Sequence, residues 1–512
     1  MMKTISELLP ACAGYRLISP ADGRAASLTA RAVTSMCCDS RKAADTSLFF
    51  CLPGAQTDGH RYAPAAYAQG ARAFVVERAL PLPDDALQIL VPDARAALAD
   101  VSAAFYEHPD REMTLIGITG TKGKTTTAQL TASILNANGR PTGYIGTNGI
   151  EFAGMHFPTV NSTPESMEIY AYLRCMIESG VRTCVMEVSS QGLWKGRVRG
   201  LAFSITLFTN LSPDHIGGAE HPDMAHYAAC KHTLFTDYGT SLMLCQANDP
   251  AAALMTEGVT APVRYFGILP SSHSLSWAAG NVTPDRDGDR LGVSFDCYRR
   301  DQVLGTYFLP LPGTFNVENT LGALAICCDG LGIAAKDALG CIGQVSVPGR
   351  FQTVTSDKLP GVTFVIDYAH NGVSLASILD ALRDYRPERL ICLFGSVGGR
   401  TFERRRQMAE AAAHRADLCI LTSDNPGPED PVHIIHDIDA AFPADACPRL
   451  MIPDREEAIR RAVRMARPGD VILLAGKGHE TYQLVGTRMV PFCEYDILND
   501  ALNKLTADGF VS

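Results

Sequence analysis

The stretch Leu115–Leu135, LIGITGTKGKTTTAQLTASIL, decides the fold. Leu115, Ile116 and Ile118 form a short apolar run that reads as a buried strand, and Ala128, Leu130 and Leu135 then fall at helical spacing. Between them stand Gly117, Gly120, Gly123 and Lys124, followed by three threonines. A helix start offers backbone N–H groups and a partial positive charge. Glycines ahead of it let those amides close around phosphate oxygens. Lys124 adds a mobile cation for terminal phosphates, and Thr125 a hydroxyl for Mg²⁺. The strict spacing G-x-x-x-x-G-K-[ST] requires glycine at 118, where Ile118 stands, so this is a variant loop. Its candidate nucleotide contacts are Gly120, Thr121, Lys122, Gly123, Lys124, Thr125 and Thr126. The plain alternative is a glycine-rich strand–helix turn that holds nothing. G-K-T-T between an apolar strand and a helix argues against it.

At 512 residues the chain has room for roughly three domains of common size. Its 46% hydrophobic and 20% charged residues describe an ordinary folded chain rather than a disordered one. A net charge of −10 argues against broad nucleic-acid binding, which needs an extended basic face. A few local cations would still suffice for a small anionic substrate. The sixteen cysteines are scattered, without C-x-x-C or other metal-ligand spacing. The first residues lack the pattern of a secretory signal. No apolar run approaches the ~20 residues that span a bilayer. The expectation is a cytoplasmic protein without membrane insertion.

Residues 1–108 carry short mixed segments such as TSLFFCL and ARAFVVE, and the polar HPDREM at 108–113 marks a first boundary. From 109 onward strands alternate with helical stretches, which implies parallel βαβ units. A Ser-, Gly- and Asp-rich part at 270–310 interrupts the alternation, and SVPGRF at 346–351 opens a third segment. There TFVIDYAH, RLICLFGSVGG, DLCILTSDNP and DVILLAGKG each read as a buried strand ending in a loop. Such loops lie where open α/β sheets bind ligands. The fold class is therefore α/β in three domains, 1–108, 109–346 and 347–512.

In VMEVSSQGL, Glu187 falls just past a buried strand, a place that suits a Mg²⁺ ligand, directly or through water. A solvated strand-end acid is the alternative. In LFTNLSPDHIGGAEHPDMAHYAACKHTLF, Asn210, Asp214 and His215 follow another apolar run. Asp214 and His215 offer oxygen and nitrogen donors for a second metal. Tyr227 and Lys231 lie one helical turn apart, and on residue type alone Lys231 reads as a solvated cation.

Together these stretches resemble the Mur ligases, ATP-dependent amino-acid ligases of peptidoglycan precursor synthesis. The resemblance runs through CDSRKA, DGHRYA, GTKGKTT, NSTPES, MEVSSQGL, FTNLSPDH, YAACK, LPGTFNVENT, PGRF, DYAHN, DNPGPEDP, DREEAI and AGKGHETYQ, nearly the whole chain. CDSR, NSTPES and AGKGHETYQ are most similar to the MurE-type branch, the UDP-N-acetylmuramoyl-tripeptide synthetases. The resemblance implies a uridine-nucleotide domain, a central ATPase domain and a Rossmann-like amino-acid domain. It implies ATP and Mg²⁺ as cofactors, and UDP-N-acetylmuramoyl dipeptide and a free amino acid as partners of a monomeric enzyme. The substrate carboxylate takes the γ-phosphate of ATP, and the amino acid's amine then displaces phosphate. By resemblance, Lys124, Glu187, His215 and Lys231 are catalytic. Thr125 and Glu187 serve one Mg²⁺, and His215 with Lys231 a second, Lys231 as N6-carboxylysine. A carbamate requires a neutral amine, hence a depressed pKa. Ser40, His60, Asn161, Ser162, Thr163, Ser189 and Arg197 match positions around the UDP-muramoyl-peptide. Asn316, Asn319, Arg350 and Asp367 match the adenosine side, with Tyr368 and His370 in the same loop.

Three departures bear on function. Relatives that use meso-diaminopimelate typically read D-N-P-R, whose arginine grips a distal carboxylate at two points. Here SDNPG places Gly427 there, which disfavours meso-diaminopimelate, although Arg400 or Arg404 lies near in sequence. L-lysine is the first expectation, with Asp424, Glu429, Asp430 and Glu480 as candidate partners for its distal ammonium. Asn425 belongs to the same loop, and Arg405 is the candidate for the α-carboxylate. Ornithine or a smaller amino acid stays open. Gln191 replaces a histidine common in relatives, and the segment after His215 is longer than usual. Competing readings are a folylpolyglutamate-type ligase, a P-loop transport or regulatory ATPase, and a non-catalytic UDP-sugar-binding scaffold.

Overall fold

Phe49 and Phe50 are neighbours in sequence and lie on opposite faces of one strand, because strand side chains alternate. The computed structural model describes residues 1–18, 25–54, 57–217, 220–300, 302–399 and 401–505, so Arg400 lies outside the described residues. Phe49 and Phe50 belong to the strand Ser47–Phe50 of a five-stranded sheet. Its order is Arg16–Ile18, Leu87–Leu90, Ala73–Val76, Ser47–Phe50, Ser35–Cys37, with only the first pair antiparallel. Leu48, Phe50 and Val75 pack with Leu98, Val101 and Phe105 of the helix Ala94–Phe105. Phe49, Phe74 and Val76 pack with Ala63 and Ala66 on the other face.

The chain divides into two compact units. The first comprises Met1–Phe266, Ser272–Leu275 and Ala325–Ile333. Besides the sheet above, it holds strands in the order Met155–Phe157, Gly149–Phe152, Thr142–Gly146, Thr183–Glu187, Thr114–Thr119, Ile205–Phe208, Leu242–Gln246, Val263–Ile268. All neighbours from Thr142–Gly146 onward are parallel. The strand leading into the phosphate loop is thus flanked by Thr183–Glu187 and Ile205–Phe208. Register pairs Ile118 with Glu187 and Thr119 with Phe208. Three neighbouring strands therefore deliver the loop, Glu187 and the segment beginning at Thr209 to the same sheet end.

The second unit comprises Gly267–Ser271, Ser276–Leu324 and the chain from Ala334 on. The polar stretch that reads as an interruption forms three antiparallel strands, Leu275–Asp287, Arg290–Arg299 and Gln302–Leu309. Alternation is what allows this: Leu291, Val293, Phe295 and Cys297 are buried while their neighbours carry the polar residues. A six-stranded sheet follows, ordered Gln352–Val354, Thr363–Asp367, Asp470–Ala475, Arg389–Phe394, Leu418–Leu421, Arg449–Met451, parallel after its first pair. Helices Gly372–Arg383, Phe402–Ala413 and Pro431–Ala440 cover one face through Leu375, Met408 and Ile438. Arg455–Met465 and Glu494–Asn503 cover the other through Ile459 and Leu498. Among the described residues no helix is long and apolar enough to cross a membrane.

One buried ion pair fixes the strand ends of this sheet. Arg455 and Glu494 have fully buried side chains 2.8 Å apart. Arg455 also donates to Ser423 O at 3.0 Å and Ala475 O at 2.7 Å. Glu494 opens its helix, where the helix dipole favours a carboxylate. Removing one member leaves a buried charge without its counter-charge, which costs about 3–5 kcal/mol. Glu494→Ala is therefore expected to lower unfolding stability by about that amount in urea titration, with Arg455→Met/Glu494→Leu regaining most of it. A Glu494→Ala midpoint equal to the wild type's contradicts this.

Candidate active site

The phosphate loop is built around two glycines. Gly120 has φ +150° and Gly123 φ +83°. A Cβ on Gly120 would lie 1.9 Å from Thr209 Oγ1, so nothing larger fits. Asn210 clamps the loop: its carbonyl accepts Thr121 N–H at 2.8 Å, its Oδ1 accepts Lys122 N–H at 2.9 Å, and its Nδ2 donates to Lys122 O at 3.1 Å. Thr209 Oγ1 donates to the same carbonyl at 2.7 Å. The amides of Thr121 and Lys122 are thus committed to Asn210. The helix Lys124–Ala137 starts directly afterwards, and its ladder opens with Thr127 N–H to Gly123 O at 2.9 Å. The preceding turn is the helix end that favours an anion.

Two lysines converge on the loop. Lys124 Nζ donates to Gly120 O at 2.9 Å and Thr121 O at 3.0 Å. Lys231 Nζ donates to Gly120 O at 2.8 Å. Lys231 is 1% exposed, so the solvated-cation reading of this residue is corrected by its packing. Burial first, and then the neighbouring Lys124 charge, pushes its amine well below the usual lysine value. Its Nζ lies over the Tyr227 ring at 4.4 Å, and Tyr227 OH is 3.1 Å from Thr121 Oγ1.

Glu187 is 1% exposed. Its carboxylate accepts from Tyr144 OH at 2.6 Å, Thr147 N at 2.8 Å, Thr147 Oγ1 at 3.1 Å and Thr125 Oγ1 at 3.0 Å. Thr163 Oγ1 donates to Glu187 O at 2.9 Å and to Ser189 Oγ at 3.0 Å. Arg197 donates to Thr163 O at 3.0 Å and to Glu165 at 2.9 Å. Thr163, Ser189 and Arg197 are thereby gathered at the end of the Glu187 strand, with half-buried Asn161 and Ser162 next in the chain. Asp214 pairs with Lys122 at 3.1 Å. Burial raises its carboxyl, and the Lys122 and His215 charges outweigh this, holding it below the usual range. His215 has φ +57°, is half exposed, and its Nδ1 lies 3.0 Å from Glu220 Oε1. Gln191 Nε2 donates to the same oxygen at 3.3 Å.

In the five-stranded sheet domain, Ser40 opens a short helical turn capped by Asp39. His60 is buried, with Nδ1 2.6 Å from Asp58 Oδ1 and Nε2 accepting Glu77 N–H at 3.0 Å. Both its ring nitrogens are spent inside the domain, and Ser40 is not among its partners.

In the second unit, Asn316 Nδ2 donates to Pro312 O at 2.7 Å and Asn319 Nδ2 to Asn316 Oδ1 at 3.2 Å. Asp367 accepts the backbone N–H of Phe351 and of Ala369, each at 2.8 Å. The Arg350 guanidinium lies 4.9 Å from the Tyr368 ring centroid. Lys477, which motif reading passes over, is fully buried and donates to Asn425 Oδ1 at 2.8 Å, Glu480 Oε2 at 2.5 Å and Tyr482 O at 2.5 Å. Asn425 Nδ2 donates to Glu480 at 2.9 Å. Buried Asp424 keeps one carboxylate oxygen, Oδ2, without a hydrogen bond. Arg405 is buried between Glu429 at 2.7 Å and Asp437 at 2.5 Å. Arg404 donates to His370 O at 2.8 Å, and Asp430 caps the helix Pro431–Ala440. Gly427 has φ +57° and pairs through its backbone with Leu484.

Sequence signals for Tyr144 and Thr147 are weak, and Lys477, although it stands in AGKGHETYQ, shows nothing there of its partners. Their types are common, and only the fold brings the first two to Glu187 and the third to Asn425.

Residues 32–106 match the Mur ligase family catalytic domain, 118–327 the Mur ligase middle domain, and 349–478 the Mur ligase glutamate ligase domain. The UDP-N-acetylmuramoyl-L-alanyl-D-glutamate–2,6-diaminopimelate ligase of Geobacillus kaustophilus is 37% identical over 476 residues, covering 91% of this chain and 94% of that protein. The ligase of the same description from Clostridioides difficile is 35% identical over 473 residues, with the same shares. A solved ligase of that description superposes with TM-score 0.64 at 26% identity, over 98% of this chain and 99% of the other. A Mycobacterium tuberculosis folylpolyglutamate synthase complexed with ADP and AMPPCP shares the fold at TM-score 0.58 and 17% identity, over 73% of this chain and 91% of its own. With its phosphate loop, its buried strand-end glutamate and matches along nearly its whole length, the chain belongs to the Mur ligase family and is an ATP-dependent amide ligase.

Proposed function

We propose that the chain joins a diamino acid, L-lysine before others, to the D-glutamate of UDP-N-acetylmuramoyl-L-alanyl-D-glutamate through an acyl phosphate. The convergence of Lys124, Lys231, Glu187 and the phosphate loop on one sheet end carries this reading. A carboxylate is a poor electrophile, and phosphorylation gives it a leaving group. Its attack on ATP brings two anions together, so positive charge must be fixed beforehand. Lys124, resting on Gly120 O and Thr121 O, is placed to turn toward the terminal phosphates, and the helix start at Lys124 adds its dipole. Thr163, Ser189 and Arg197 orient the muramoyl-peptide end. Ser40 lines the uridine-nucleotide site, which His60 supports from inside. Asn316, Asn319, Arg350 and Asp367 take the adenosine side.

The hydroxyl of Thr125 and the carboxylate of Glu187, 3.0 Å apart, are the hard oxygen donors that fit Mg²⁺. As an amine Lys231 does not fit a cation. Carboxylated on Nζ it becomes an oxygen donor that, with His215, fits a second ion, and burial, which pushes its pKa down, favours the neutral amine this requires. Bound Mg²⁺ supplies neutralisation of the phosphate charge. We assign 1–108 to the uridine nucleotide, 109–346 to ATP and 347–512 to the amino acid, in a cytoplasmic monomer.

For the amino acid, Gly427 offers no side chain to a distal carboxylate, whereas Asp424 keeps an acceptor oxygen in reserve. Arg405 is held by Glu429 and Asp437, so a bound α-carboxylate would have to compete with these acids. A second reading, meso-diaminopimelate, is favoured by the descriptions of the relatives. The two are separated by incubating enzyme, MgATP and UDP-muramoyl dipeptide with single amino acids and weighing the product. Lysine addition above diaminopimelate addition is expected, and the reverse order overturns the choice.

Two substitutions probe the parts. Lys124→Ala is expected to lower kcat/KM by at least about 10²-fold with an unchanged thermal midpoint, and undiminished turnover contradicts the loop's role. Gly427→Arg has room, since a Cβ there meets only Leu484 Cδ2 at 3.9 Å. Its positive φ costs about 1–2 kcal/mol, so a lower midpoint is expected. The kcat/KM ratio of diaminopimelate to lysine should rise at least about tenfold, equivalent to ~1.4 kcal/mol. An unchanged ratio removes Gly427 as a selectivity determinant.

A further inference from the structure

Beside the residues assigned above, three side chains of another chemistry converge. His226 and Cys230 are four residues apart on the helix Met224–Thr236, so they share one face. His221 stands in the segment before that helix. Its Nδ1 lies 2.8 Å from His226 Nδ1, and Cys230 Sγ lies 3.7 Å from the same His226 nitrogen. One ligand atom from each residue falls within 4.8 Å of the others. In tetrahedral zinc sites, with Zn–N about 2.0–2.1 Å and Zn–S about 2.3 Å, neighbouring ligand atoms stand about 3.3–3.7 Å apart. Closing this set onto an ion therefore takes shifts of about one ångström.

Two further observations point to a ligand. His221 is 0% exposed, and its Nε2 lies 2.9 Å from Ser190 Oγ. An outer partner of this kind orients a metal-bound imidazole and leaves Nδ1 as the inward donor. The two rings also face each other nitrogen to nitrogen at 2.8 Å, a contact that a single shared proton bridges and that a cation between them can replace. His226 is tied by its own N–H to Asp223 at 2.8 Å, which fixes the first turn of the helix under the cluster.

We propose that His221, His226 and Cys230 bind a thiophilic divalent cation of the zinc class, with water completing the tetrahedron. Imidazole and thiolate select such an ion over Mg²⁺, so the site is chemically separate from the oxygen donors at the phosphate loop. Binding releases the Cys230 thiol proton to solvent and forms the metal–sulfur bond. The ion staples the loop to the helix: His221 N–H donates to His215 O at 3.0 Å, and Lys231 follows Cys230 directly. It thereby holds His215 and Lys231 in position, acting through their backbone. The site itself does not depend on which amino acid the enzyme adds.

The test uses the full chain, stripped with chelator and kept in excess Mg²⁺, titrated with Co²⁺ and then Zn²⁺. The Trp194 ring lies 5.4 Å from that of His221 and 5.0 Å from that of His226, and reports binding by quenching. One Co²⁺ per chain is expected, with a sulfur-to-cobalt charge-transfer band, tetrahedral ligand-field bands and quenched tryptophan emission, all reversed by Zn²⁺. Cys230→Ser should abolish the charge-transfer band, and His226→Gln should weaken Co²⁺ binding at least tenfold. Cys175→Ser, at an exposed cysteine, should change neither. X-ray absorption on the wild-type cobalt form should give one sulfur and two imidazole nitrogens, a readout that needs no variant to fold. Absence of the band, its survival in Cys230→Ser, its loss in Cys175→Ser, or an all-oxygen shell overturns the proposal.

Discussion

Two amines share one carbonyl. Lys124 and Lys231 both donate to Gly120 O, at 2.9 and 2.8 Å, and Lys231 does so from a buried position. Burial first, and then repulsion between the two amines at one acceptor, pushes the Lys231 pKa down. The arrangement ties the helix Met224–Thr236 to the phosphate loop and keeps the Lys231 nitrogen beside it. Most of the proposed chemistry depends on this contact, which sets one lysine at the helix start and a second, buried, beside it.

The sheet supplies the precision. Parallel neighbours Thr183–Glu187, Thr114–Thr119 and Ile205–Phe208 end together, so Glu187, the loop and Asn210 meet without any long reach. Asn210 then takes the two loop amides that would otherwise be the obvious phosphate donors. Glu187 in turn is oriented by four donors, and that many donors hold its carboxylate in one geometry.

Elsewhere the hydrogen-bond networks redistribute roles that residue types suggest. His60 spends both ring nitrogens on Asp58 and Glu77, which makes it a support rather than an exposed contact. Lys477 bridges Asn425, Glu480 and the Tyr482 carbonyl, so a buried ammonium organises the loops after two strands. Glu480 and Glu429 are each already engaged by a cation. Of the loop acids, Asp424 is the one with a buried oxygen still to satisfy.

The order of apolar runs and glycine-rich turns determined the α/β class, the phosphate loop and the strand-end positions of Glu187 and Asp424, because strand and helix periods are local properties of the chain. The motif G-K-T-T named Lys124 and Thr125 for the same reason. Strand order, by contrast, is a long-range choice. Only the fold decided that Tyr144 and Thr147 reach Glu187, that Asn210 clamps the loop, that Arg405 meets two acids, and that residues 276–309 make an antiparallel sheet. It also decided the surroundings of Lys231: its letter alone signifies a solvated cation, and the packed structure buries it, where a charge loses its water and the amine's pKa is pushed down.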